Sequence, residues 1–196
     1  AAFACCTGCG LFVINNVSLM VQSIGGHDAF AGHLVILLSL SNCAGRIFMG
    51  TVADHHSKLA LLAMTSVVMA AGLFLSAQAD MDNAQWRLTV TVVSVAMAYG
   101  ALWVLIVGIL SDWFGNHDFG KNYGVIAMGP AVSGMVFNAS SAWLYEHHVG
   151  EAGGACVGTA CYRDSFSMAA GASVLCTIFL WCLSSRRVDK GATKQR

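Results

Sequence analysis

Charge is what this chain has least of. Lysine, arginine, aspartate and glutamate make up 10% of its 196 residues, against roughly a quarter in soluble domains. A soluble globule of this length would leave much of its apolar majority in water, so that class is excluded. Proline is almost missing: Pro130 stands alone, which fits a mostly helical chain. No aspartate or glutamate lies deep in an apolar run, and His33 is the one titratable candidate for proton coupling there, at the edge of its run. There is no nucleotide-binding motif, no Ser/His/Asp set, no Gly-rich phosphate loop and no nucleic-acid motif. These absences point away from ATP-driven work, hydrolysis, cofactor chemistry and nucleic-acid partners. The chain starts Ala-Ala-Phe, without an initiator methionine and without a visible signal peptide. A fragment or processed piece of a longer protein is expected.

What is present is apolar length. Ala1–Ile24, Ala29–Val52, Leu59–Ala79, Leu88–Ser111, Asn122–Tyr145 and Ser165–Ser185 form six long hydrophobic stretches. A bilayer core of roughly 30 Å takes about 20 such residues as helix. Arg46 and His33 are the only basic or acidic side chains inside those limits. The expectation is an all-α membrane protein with one transmembrane domain over 1–185 and a basic tail over 186–196. The lipid bilayer is its first partner.

The sign of the charge is unevenly spread. With six spans, the loops at His55–Lys58 and Asp112–Lys121 and both ends share one side. That side holds Lys58, Lys121, Arg186, Arg187, Lys190, Lys194 and Arg196, with Arg46 near the boundary. The other holds Arg87 and Arg163. The positive-inside rule then puts both termini in the cytoplasm, in a membrane the sequence does not specify. The tail reads as a topology anchor or, alternatively, as a patch for anionic lipid or nucleic acid. Asp28, Asp54, Asp82 and Asp164 stand near span starts, where carboxylates accept from free helix N–H groups.

Of eight cysteines, Cys5, Cys6, Cys9, Cys43, Cys176 and Cys182 lie in spans and read as small apolar fillers. Cys156 and Cys161 share the long loop after Tyr145. They suit a small-loop disulfide, two free thiols or a soft-metal site.

Polar groups inside hydrocarbon are informative because they are costly. Asn15, Ser18 and Gln22 recur at i, i+3 and i+7, on one helical face, with Asn16 beside them. Ser39, Asn42 and Arg46 repeat that spacing in the second span. Such stripes line an aqueous cavity or bond across a packed helix interface. Tyr99 and Trp103, at i and i+4, make an aromatic face. In the fifth span Gly129-Pro130 removes a helix hydrogen bond and predicts a bend. The bend serves packing or movement.

One motif is more specific. Gly45-Arg46-x-x-x-Gly50-x-x-Ala53-Asp54-x-x-x-Lys58 joins two spans, and it resembles the cytoplasmic G-x-x-x-D-R-x-G-R-R/K loop of major facilitator superfamily transporters. Gly50 and Asp54 match its glycine and aspartate, and Lys58 a distal basic position. His55 stands where that loop usually has arginine, and His56-Ser57 replace its x-Gly. Gly10–Asn16, Leu102-Trp103, Ser111–Gly115 and Phe119–Gly124 are similar to the nodulin-like branch. The resemblance covers the whole chain as the C-terminal six-helix half of a twelve-helix transporter.

That resemblance implies alternating access about a midplane site, with the missing N-terminal six-helix half as partner. It makes Asn15, Asn16, Ser18, Gln22, Tyr99 and Trp103 substrate-lining candidates for a small molecule or ion. Arg46, Gly50, Asp54, Lys58, Asp112 and Lys121 become inner-gate candidates. The implied activity is facilitated or ion-coupled transport, with no enzyme activity. Two alternatives are a non-transporting scaffold or receptor of the same fold, and a metalloenzyme built on His55-His56 and His147-His148. The last is disfavoured because those pairs fall on opposite membrane faces.

Overall fold

Hydrocarbon gives the backbone no hydrogen-bond partners, so a tract that crosses it closes its own bonds as helix. The computed structural model of the chain has that form, and it describes residues 1–115, 117–149 and 156–193, with side chains to residue 185. Among the described residues there are six α-helices: α1 (Ala2–Ser23), α2 (Asp28–Ala53), α3 (Lys58–Ala77), α4 (Ala84–Phe114), α5 (Phe119–Val149) and α6 (Ala160–Thr193). All six contain a stretch long and apolar enough to cross a membrane. A 3-10 turn, Met81–Asn83, leads into α4. Side chains of the expected basic tail, residues 186–196, lie outside the described residues, as does Glu151.

Four of the helices, α2, α4, α5 and α6, overrun their apolar tracts, whereas α1 and α3 end just inside theirs. α4 starts at Ala84 rather than Leu88, α5 covers Phe119–Val149 rather than Asn122–Tyr145, and α6 starts at Ala160 rather than Ser165. Hydropathy marks where lipid ends, whereas the hydrogen-bond ladder continues into polar residues. The expected aspartate caps are also redistributed. α2 and α3 have no side-chain cap bond, and Asp164 lies inside α6. Asp80 and Asn83 instead form a reciprocal pair at the 3-10 turn, the Asp80 N–H donating to Asn83 Oδ1 at 3.0 Å. Across from it, Arg87 Nη1 donates to the carbonyls of Gln78 (2.8 Å) and Leu75 (3.3 Å). A cation thereby satisfies orphan acceptors at the end of α3.

Successive helices run in opposite directions and define two ends. Lys58 and Asp112 mark the lysine end, and the Cys156–Cys161 bond marks the disulfide end. α4 packs on α2, α3 and α1; α3 packs on α6; α1 packs on α5 and α6. Phe12, Met20, Met69, Leu73, Leu102 and Leu105 fill the centre with essentially no exposure. Within this core Ser76 Oγ donates to Thr91 Oγ1 at 2.8 Å, and Thr91 Oγ1 donates to the Gly72 carbonyl at 2.6 Å. Thr177 Oγ1 donates to Ser66 Oγ at 2.9 Å, tying α6 to α3. In apolar surroundings these hydroxyls have no water to turn to, so they pair with one another.

α2 and α5 are the outliers. α2 buries only Leu34, Leu38, Gly45 and Ala53, and α5 only Pro130, Gly134 and Ser141. The two flank α1 and α4 and leave one broad face of the bundle uncovered.

Candidate functional site

The polar stripe of α1 lies on that open face. Asn15, Ser18 and Gln22 are all exposed, as a shared helical face requires. Asn16, one residue on, turns toward α5. Its Nδ2 donates to Asn138 Oδ1 at 2.9 Å and to the Phe12 carbonyl at 2.9 Å. Asn138 in turn donates to the Gly134 carbonyl at 2.7 Å. The stripe is thus divided: Asn16 joins helices, while the other three amides and hydroxyls stay free of partners among the described residues. The spacing of α1 alone does not reveal Asn138. The signal for it is Gly134 one turn earlier, at which α5 meets Leu11 of α1.

α2 and α4 supply the next wall. They cross backbone against backbone: a Cβ on Gly45 would strike the Met97 carbonyl, and one on Gly100 the Asn42 carbonyl. The crossing lies near the middle of α4. Just past it on α2, Arg46 is exposed, and its Nε donates to Asn42 Oδ1 at 3.1 Å. Arg46 therefore lies one turn from Gly50 but roughly 12 Å of helix rise from Asp54. Tyr99, next to Gly100, is half-buried and lies over Gly10 of α1. Trp103 meets Tyr99 edge-on at 6.3 Å and Phe3 at 5.4 Å between ring centroids. The aromatic pair links α4 to α1 at the base of the open face.

At the lysine end, Lys58 Nζ pairs with Asp112 at 2.7 Å. The methylene stem of Lys58 lies across Gly108, where a larger residue would crowd it. A cavity of about 600 Å³ opens beside this pair, lined by Asp54, His56, Lys58, Asp112, Trp113 and Ser184. Asp54 ends α2, is exposed and has no ion pair among the described residues. Gly50 is half-buried, 3.9 Å from Val104 to an added Cβ. Lys121 is highly exposed and lies 3.8 Å from Asp118. Lys58 and Asp112 are candidates that the fold brings together; Lys121 and Arg46 stay apart from them.

α5 runs unbroken through Pro130, which is buried. Gly129 admits Ala4 of α1, and Ser133 Oγ donates to the Ala4 carbonyl. At the disulfide end, Cys156 and Cys161 are bonded. The Cys156 N–H donates to the Tyr145 hydroxyl at 3.0 Å, and the Gly158 N–H donates to the Ser23 carbonyl at 2.7 Å. Short bonds thus fasten this loop to the ends of α5 and α1. His148 Nε2 lies 3.6 Å from Asp164, and Arg163 lies 3.9 Å from Asp80. Among the described residues no three His, Cys, Asp or Glu side chains are grouped to hold a metal. His55-His56 follow α2 at the lysine end and His147-His148 close α5 at the other.

The all-helical fold agrees with the comparisons. The Major Facilitator Superfamily model matches residues 1–196. The "Probable transporter MCH1" of Saccharomyces cerevisiae is 28% identical over 166 residues, covering 79% of this chain and 34% of that protein. The "Uncharacterized MFS-type transporter YhjX" of Escherichia coli is 26% identical over 121 residues, 61% of this chain and 30% of that protein. The "Probable transporter mch1" of Neurospora crassa is 29% identical over 135 residues, 64% of this chain and 23% of that protein. The chain spans about a third of the length of the curated relatives it matches. Six membrane-length helices, their packing and a family match over the full sequence together make this an integral, multi-pass membrane protein that belongs to the Major Facilitator Superfamily.

Proposed function

We propose that the chain is the C-terminal half of a secondary transporter that moves a small polar solute by alternating access, facilitated or coupled to an ion. The observation that carries this reading is the exposed stripe Asn15, Ser18 and Gln22 on α1, flanked by the half-buried Tyr99 and Trp103 of α4. Unpaired amides cost free energy against lipid. Water or solute is the partner that removes the cost, and the narrow burial of α2 and α5 leaves room for a second six-helix half to enclose the path.

In this reading the lysine end is cytoplasmic, by the excess of Lys58, Lys121 and the tail cations over Arg87 and Arg163. The disulfide end faces an oxidising compartment, which agrees with the Cys156–Cys161 bond. Asp54, beside the 600 Å³ cavity and without an ion pair among the described residues, would cap a helix start of the other half and so favour one facing state. Gly129-Pro130 supplies a compliant point in α5. The sequences Gly10–Asn16 and Phe119–Gly124 support the nodulin-like branch.

The test is counterflow in proteoliposomes of the full-length protein against a panel of neutral, anionic and cationic solutes. Saturable exchange of at least one is expected. Absence of exchange across the panel, from monodisperse protein, favours a scaffold or receptor instead.

A further inference from the structure

We infer that Cys5 and Cys176 form a redox-active dithiol that reduces an organic hydroperoxide dissolved in the membrane and closes as a disulfide joining α1 to α6. The chemistry stands apart from the transporter reading; only its effect on flux rests on that reading. Cys5, Cys6, Cys9 and Cys176 meet where these two helices pack. Cys9 Sγ donates to the Ala169 carbonyl at 3.5 Å, which fixes the register. The helices run antiparallel, so one turn back on α1 brings Cys5 opposite the next turns of α6, at Ser173 and Cys176. The Cys5 thiol accordingly lies within hydrogen-bonding reach of Cys176 and Cys9, and Cys176 also reaches Cys6.

Access singles out one pair. Cys6 and Cys9 are fully buried, whereas Cys5 is half-buried. Cys5 and Cys176 line a cleft of about 260 Å³ together with Ala172, Leu175 and Phe179. That lining is apolar, and Leu175 and Phe179 are exposed, so the cleft admits a hydrocarbon-soluble molecule rather than an ion. Among the described residues no three ligands are grouped for a metal, and a Cu(I) ion held by two thiolates would leave a net negative charge in hydrocarbon. Oxidation leaves none. Cys5 Sγ takes the distal peroxide oxygen as the O–O bond breaks, and its proton goes to the departing alkoxide to give an alcohol. Cys176 Sγ then attacks the sulfenic sulfur, the S–O bond breaks, and the second thiol proton leaves with hydroxide as water. Two thiols are oxidised to one disulfide while one hydroperoxide is reduced, the course expected of a thiol with a resolving cysteine beside it.

The experiment uses the full-length protein in proteoliposomes, with cumene hydroperoxide as the probe. Free thiols are then alkylated without reduction, and peptides are mapped by mass spectrometry. Cys5 is expected to be found bonded to Cys176, with cumyl alcohol formed in step with the bond and dithiothreitol reversing it. The bond ties α1, which carries the polar stripe, to α6. Counterflow of a transported solute is therefore expected to fall several-fold on oxidation and to recover with the reductant. Cys176→Ala is expected to keep basal counterflow, lose the cross-link and ignore the oxidant; Cys5→Ala decides the question if that variant fails to fold. The inference is overturned if both thiols stay reduced, if Cys5 runs on to a sulfinic acid without a cross-link, or if Cys6 takes the bond to Cys176. Unchanged counterflow in fully cross-linked protein overturns the restraint on transport. Protein that forms the bond but moves no solute even when reduced supports the dithiol and counts against the transporter reading.

Discussion

Two adjacent asparagines on α1 have different surroundings and should respond differently to the same substitution. Asn16 donates to Asn138 on α5, whereas Asn15 is exposed beside Ser18 and Gln22. Asn16→Leu removes that bridge and is expected to cost about 0.6 to 1.7 kcal/mol, the measured range for interhelical bonds in membranes. Asn15→Leu and Gln22→Leu are expected to change stability by less than about 0.5 kcal/mol. Each should nonetheless lower flux about tenfold, the worth of a hydrogen bond to solute. Thermal unfolding in detergent beside proteoliposome flux checks both; equal destabilisation by all three would assign the whole stripe to packing. The i, i+3, i+7 spacing made the exposed face legible in the sequence. Asn138 was not legible, because its meaning depends on α1 and α5 lying side by side. The Lys58–Asp112 pair was hidden for the same reason: both residues stood out, but 54 positions separate them.

Glycine placement separates helices that touch from helices that do not. α5 carries four glycines, Gly120, Gly124, Gly129 and Gly134, each small enough for another helix to approach closely. Only Gly129 and Gly134 meet a neighbour, Ala4 and Leu11 of α1, while Gly120 and Gly124 have open space around them. Gly100 is the strictest case, with the Asn42 backbone in the way of any Cβ. Gly100→Ala is expected to cost about 1 to 3 kcal/mol through overpacking. Gly124→Ala is expected to be neutral or to gain up to about 1 kcal/mol from helix propensity. Melting temperatures of the two variants test the contrast, and a neutral Gly100→Ala would mean that α2 and α4 are not held in close contact. The apolar tracts announced the number and type of elements but not their ends. Gln85, Trp86 and Arg87 look like loop by hydropathy, yet they form the first turn of α4.

At the scale of the molecule, the family was legible in one loop motif and in the count of spans, and the match over residues 1–196 agrees. No solute was legible, since no residue pattern in the chain is specific to one. The alternation of the six helices makes a prediction about sidedness. In sealed, uniformly oriented proteoliposomes of full-length protein lacking Cys43 and Cys182, single cysteines at Ser57 and His117 are expected to share one accessibility to an impermeant maleimide and a cysteine at Asp82 the opposite one. Permeabilisation should expose all three. Labelling of positions 57 and 82 from the same side would contradict the helix order.

The contact of α2 and α4 through bare backbone has a mechanical corollary. With Gly45 seated under Met97 and Gly100 under Asn42, neither helix rolls or slides alone. The guanidinium of Arg46, its amide tether and the Tyr99 ring consequently ride on a single strut. Tyr99, lying over Gly10, and Trp103, edge-on to Phe3, extend that strut to α1.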